Sequence, residues 1–109
     1  KQIMISTEKS PTNCKFFKHP QVQWLYCVPK YPCNINDLDF KNIKEFHGFS
    51  NHCCEITAPL TAAILGANII EVHITSDKSK DFFDNNVSFE YTELSELVRL
   101  IRCFEKIPK

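Results

Sequence analysis

Short apolar runs separated by longer mixed stretches set the rhythm of this chain. Ile3-Met4-Ile5 predicts a short buried strand, with Ser6-Thr7 after it and a loop from Glu8 to Pro11. Ser10, Thr12 and Asn13 are candidate caps for the element after that loop. Lys15–Lys18 reads as one or two helical turns, ended by His19-Pro20 because a residue before proline avoids the helical region. Val22–Val28, aromatic and β-branched, predicts the second strand, and Pro29 stops its ladder. From Asn36 or Asp37 to Phe46 the pattern predicts a helix, with Leu38, Ile43 and Phe46 on one stripe and Asp37 and Asp39 at its N-terminal end. Phe46–Ser50 is a third, short strand. Ile56–Leu65 predicts a helix with Pro59 in its first turn and Gly66 as its terminator. Asn68–Ile74 is the fourth strand, and Ser76–Ser88 a polar loop interrupted by Phe82-Phe83. Tyr91–Glu105 predicts the last helix, its apolar face made by Leu94, Leu97, Val98, Ile101 and Phe104. Strands that alternate with helices in this way imply an α/β chain with a parallel sheet and right-handed crossovers.

Composition narrows the function classes. At 109 residues the chain is one domain by length. Thirteen basic and thirteen acidic residues leave it neutral, with no global field to draw in nucleic acid or an anionic membrane. No apolar run approaches the ~20 residues of a membrane span, and no signal-peptide pattern opens the chain. Six cysteines could form a disulfide framework. Several fall inside apolar strand or helix patterns, where free cysteine packs as a small hydrophobe, so a reducing, cytoplasmic setting is expected. There is no C-x2-C pair to suggest structural zinc. The chain opens directly on an apolar strand without an initiator Met, which reads as a piece of something longer.

The candidate chemistry centres on two histidines. His52 follows Gly48-Phe49-Ser50-Asn51, and His73 follows Ile69-Ile70-Glu71-Val72. Two imidazoles leaving neighbouring parallel strands at the same end converge on one point. Glu71 either supports such a ligand or pairs with a nearby lysine. His19 and His47 are expected to be exposed loop or helix-end residues.

These motifs, in order, resemble the N-acetylneuraminate (sialic acid) synthase family with its legionaminate and pseudaminate relatives. Ser6-Thr7 is similar to the end of that family's fifth barrel strand, and Leu25-Tyr26-Cys27 through Tyr31-Pro32 to its sixth. Gly48–His52 with Ala58-Pro59 resembles its Gly-Tyr-Ser-Asp-His and Ala-Pro, and Leu65–Thr75 resembles its Leu-Gly-Ala…Ile-Glu-Lys-His-Phe-Thr. Asp84 follows at the matching distance. The resemblance implies the C-terminal half of a TIM (β/α)8 barrel, strands five to eight, with the site at the C-terminal strand ends. It implies condensation of phosphoenolpyruvate with an N-acetylated hexosamine of the N-acetylmannosamine type, with Mn2+ or Mg2+ as cofactor. It further implies that His52 and His73 are metal ligands, that Ser6 and Ser50 contact phosphoenolpyruvate, and that Tyr31 and Asp84 contact the sugar.

The chain departs from the family pattern at five positions: Glu8 for glycine, Pro29 for a polar residue, Asn51 for aspartate, Val72 for lysine and Asn85 for a common histidine. A carboxylate at Glu8 would repel a phosphate. Four strands also leave two sheet edges unpaired, to be covered by a second copy or by the remainder of a longer chain. Two function classes stand: a sialic-acid-synthase-like enzyme, or a non-catalytic barrel remnant that binds or assembles. A cysteine-based redox or zinc protein is a third.

Overall fold

The computed structural model describes residues 1–109 and shows four parallel strands: β1 (Ile3–Thr7), β2 (Val22–Tyr26), β3 (Gly48–Ser50) and β4 (Ile69–Glu71). They lie side by side in sequence order, β1-β2-β3-β4. A doubly wound sheet reverses its strand order at a switch point, whereas a β/α barrel does not. The fold is therefore α/β, in the arrangement of half a (β/α)8 barrel. Helix α1 (Thr57–Ile64) joins β3 to β4, and α2 (Tyr91–Lys106) follows β4. No helix is long and apolar enough to cross a membrane.

The two-residue period of the strands divides the sheet into two faces. Val22, Trp24 and Tyr26 of β2 and Phe49 of β3 face the helices, where they join Ile43, Phe46, Ala58, Ala62 and Ala67 in one buried cluster. Aromatic edges fill it: Phe40 meets Phe49 with ring centroids 5.2 Å apart, and Tyr26 meets Phe46 at 5.5 Å. Alanines on the buried side of α1 let that helix approach β3 and β4 closely. The opposite face carries Met4, Ser6, Gln23, Leu25, Gly48, Ser50, Ile69 and Glu71, as the pairings Ser6↔Leu25, Leu25↔Gly48 and Gly48↔Ile69 place them. Gly48 is required there, because a Cβ would stand 2.1 Å from the Ile69 carbonyl oxygen.

Helix α1 ends as its sequence predicts. Gly66 takes φ +113° beyond α1, and the amides of Gly66 and Ala67 return to the carbonyls of Ala63 and Ala62 at 3.1 and 3.0 Å. This reciprocal closure satisfies the last carbonyls of the helix. At the start of α2 the Glu93 carboxylate accepts from the Glu90 amide at 3.1 Å.

Three expectations need correction. Residues 36–46 do not form a helix; they contain two short 3-10 turns, Ile35–Asp37 and Ile43–Glu45. The cause is local competition for the backbone. Asp37 accepts from the Asn34 amide, Asp39 accepts from the Lys41 amide, and the Asp39 amide itself donates to the Tyr26 hydroxyl. The first strand is not buried: Ile3 and Met4 are 53% and 58% exposed, because β1 is an edge. His47 is half-buried rather than exposed, its Nδ1 accepting from the Trp24 amide at 2.9 Å. The turns expected at Lys15–Lys18 are preceded by a 3-10 turn, Pro11–Asn13, that Ser10 caps by accepting from the Thr12 amide.

Candidate functional site

The face turned away from the helices rises past the C-terminal ends of the strands into an open cleft of about 640 Å³. Ser6, Thr7 and Glu8 line it from β1, Cys27, Pro29 and Tyr31 from beyond β2, Ser50 and His52 from β3, and Glu71 and His73 from β4. Ser50 pairs in register with Glu71, and just past the two strand ends His52 and His73 line the same cleft. The two strand ends and the residues just past them thus make a two-by-two grid: a hydroxyl beside a carboxylate, then two imidazoles. The imidazole centroids are 5.9 Å apart and nearly perpendicular.

Each imidazole is oriented by a different partner. His52 is 7% exposed, and its Nδ1 lies 2.9 Å from the Val28 carbonyl oxygen. A carbonyl can only accept, so Nδ1 carries the proton and Nε2 keeps its lone pair. The Cys27 sulfur, 3.8 Å from Nε2, is the other close polar atom. Tyr31 stacks on the ring face with centroids 3.9 Å apart. His73 has its Nδ1 3.6 Å from the Asp84 carboxylate. Asp84 adopts φ +61°, a left-handed conformation that aspartate tolerates better than most residues. It stands behind His73 rather than in the cleft lining.

The acid–base character of the cleft follows from burial and charge. Burial pushes the Cys27 thiol up despite a Ser50 hydrogen bond, so it remains a thiol. Burial and the Asp84 charge push the Tyr31 phenol up, so it remains a donor. Ser50 donates its hydroxyl proton to one oxygen of Glu71 and leaves the other without a protein partner. Glu8 and Glu71 line the cleft, and no Lys or Arg does.

Five of the six residues singled out in the sequence, Ser6, Tyr31, Ser50, His52 and His73, therefore meet in one cleft, and Asp84 adjoins it. Sequence reasoning missed the Ser50–Glu71 hydrogen bond and the Cys27 contact with His52. The strand period carried a signal for both, since Glu71 shares its face with His73, and Cys27 faces the same way as Leu25. The donor set suits a divalent ion in part. A carbonyl on one Nδ1 and a carboxylate beside the other is the outer support expected of metal-ligating imidazoles. Yet His, Cys, Asp and Glu nowhere gather in a group of three able to hold an ion; the cleft brings together two imidazoles.

The five departures separate cleanly. Asn51 is fully buried and points away from the cleft, its amide exchanging hydrogen bonds with both backbone groups of Cys53. Val72 lines an apolar groove of about 460 Å³ with Leu94, Leu97, Val98 and Ile101, on the helix side of the sheet. Asn85 is buried and donates to the Asp77 carbonyl, bracing the loop. Only Glu8 and Pro29 face the cleft. All six cysteines are free, and Cys27, Cys33 and Cys53 are buried.

A parallel sheet in barrel order, with its polar cluster at the C-terminal strand ends, defines a chain of the β/α-barrel class. The NeuB family model matches residues 5–108, and the chain belongs to the NeuB family. It is 34% identical over 96 residues to human N-acetylneuraminate-9-phosphate synthase, covering 81% of this chain and 27% of that protein. It is 33% identical over 102 residues to a pseudaminic acid synthase of Campylobacter jejuni, covering 84% and 30%. Among solved structures, an N-acetylneuraminic acid (sialic acid) synthetase from Leptospira borgpetersenii, in complex with citrate, superposes with a TM-score of 0.74 at 35% identity, covering 79% of this chain and 33% of that one. The chain thus spans about a third or less of the relatives it matches.

Proposed function

We propose that residues 1–109 are one partial domain, the C-terminal half-barrel of a sialic-acid-synthase-like enzyme that condenses phosphoenolpyruvate with an N-acetylated hexosamine. The observation that carries this reading is the Ser50, His52, Glu71, His73 grid at the strand ends, in a chain of the NeuB family. His52 and His73 would hold Mn2+ or Mg2+ through their Nε2 atoms. Such an ion supplies Lewis-acid polarisation of the sugar aldehyde. The chain's own residues do the rest of the work on this side. Tyr31, held protonated, offers a hydroxyl to the sugar, with Asp84 at the rim. Ser6 and Ser50 border the phosphoenolpyruvate end. Glu71, with one oxygen occupied by Ser50, keeps the other free to take a proton from water or a hydroxyl. The unpaired edges β1 and β4 would be covered by the rest of a longer chain or by a second copy. Six free thiols suit a reducing cytoplasm.

A second reading, a non-catalytic domain that binds or assembles, draws on one observation: Glu8 and Glu71 face the cleft and no Lys or Arg opposes them. Phosphate release from phosphoenolpyruvate and N-acetylmannosamine by the full-length protein decides between the two. Release that needs both substrates and is lost in His52→Ala and His73→Ala supports the synthase. No release with any N-acetylhexosamine, while Mn2+ still binds, leaves the binding domain.

A further inference from the structure

At the opposite end of the sheet, where the chain enters β2 and β3, a second pocket of about 430 Å³ opens. Lys18, His19, Lys44 and His47 line it, with Glu45 as the one carboxylate. Its chemistry is the reverse of the cleft's. The Nδ1 atom of His47 accepts from the Trp24 amide at 2.9 Å, and Nδ1 of His19 accepts from the Gln21 amide at 3.2 Å. An amide N–H can only donate, so each neutral ring carries its proton on Nε2 and offers a donor there. Lys18 and Lys44 take part in none of the ion pairs of the chain. Glu45 is already engaged by the Ser10 hydroxyl at 2.9 Å. The lining therefore combines two unpaired ammonium groups with two imidazoles whose tautomers are set as donors.

We propose that this pocket binds a phosphate-class oxyanion. Charge-assisted N–H donors are what such an ion requires, residues 18–19 and 44–47 supply them to one pocket, and the ring tautomers are set by the backbone before it arrives. Two lysine charges against one carboxylate leave the pocket locally positive in a chain that is neutral as a whole. The ammonium groups sit on flexible stems and adapt to the ion, while each imidazole is tied at Nδ1 to a backbone amide. The site is independent of the synthase reading, since it shares no residue with the cleft.

The test is a titration of the full-length protein, labelled at histidine 13Cε1, with sodium phosphate at constant ionic strength held by sodium chloride. The His19 and His47 resonances are expected to shift together and saturate. In the double variant Lys18→Gln/Lys44→Gln, both exposed and outside the core, affinity should fall about tenfold or more. The His73 resonance reports separately on any phosphate in the cleft and should not depend on the two lysines. Absence of a saturable shift at His19 and His47, the same shift with chloride alone, or an undiminished affinity in the double variant overturns the site.

Discussion

Tyr31 lies face to face with His52, ring centroids 3.9 Å apart and planes inclined by 31°. With Nδ1 on the Val28 carbonyl and Tyr31 on its face, the His52 ring has little freedom to turn. If Nε2 is a metal ligand, Tyr31 acts on the metal through that ring. Tyr31→Ala should weaken Mn2+ binding by about tenfold, as loss of an outer-shell support does. Tyr31→Phe keeps the stack and should leave it nearly unchanged. Mn2+ titration followed by calorimetry measures both. Equal weakening by the two variants would assign the effect to the hydroxyl rather than to the stack.

Glu8 faces a cleft that this chain lines with a second carboxylate and no cation. On the synthase reading, Glu8→Gly should lower KM for phosphoenolpyruvate by about three- to tenfold, the size of one unfavourable charge in a wet site. The kcat should change little. Steady-state phosphate release by the full-length protein checks this, and an unaltered KM would place Glu8 outside the path of the anion.

Gly48 packs against β4 so closely that an added Cβ would come within 2.1 Å of the Ile69 carbonyl oxygen and 2.7 Å of its Cβ. The neighbour is backbone and cannot swing aside. Gly48→Ala should cost about 3 kcal/mol, at the upper end of overpacking effects. The urea midpoint reports it. A midpoint equal to wild type would mean that β3 and β4 can separate without penalty.

Lys78 and Glu93 tie the long loop to α2 with an ion pair of 2.6 Å. Partial burial pushes the Glu93 carboxyl up, but hydrogen bonds from Lys78 and the Glu90 amide bring it below the ordinary carboxylate range. A depressed folded-state value stabilises above the unfolded value of about 4.3, and the benefit fades as pH falls through the folded one. Lys78→Gln should therefore melt below wild type at pH 7, with the gap closing under about pH 4. Melting curves at several pH values test it; a gap constant from pH 7 to pH 3 would mean that the pair contributes nothing through Glu93.

Much of this architecture was legible because the strands and α2 carry strong periods. Leu94, Leu97, Val98, Ile101 and Phe104 read as one face, and the structure has them on α2. Residues 36–46 misread as a helix because a stripe of apolar residues outweighed Asp37 and Asp39, whose carboxylates accept from the amides of Asn34 and Lys41. The exposure of Ile3 and Met4 depends on which strand is an edge, a property of the whole sheet and not of the local run. The site was half legible. Asn51 and Val72 sit next to the histidines in sequence, and adjacency alone would put them in the same surroundings. Parity along a strand says otherwise: neighbours point to opposite faces, and both side chains belong to the helix side. The Ser50–Glu71 contact needed the β3–β4 register, which no single segment contains.

That register carries more than pairing. Phe49 and Asn51 are buried on one side while Ser50 and His52 face the other, all within four consecutive residues. A slip of β3 by one position would put Phe49 into the cleft and His52 among the aromatic rings. The chain cannot mispair there and keep either its core or its chemistry. Gly48, able to sit against Ile69 only because it lacks a side chain, works as the index mark that holds the alignment.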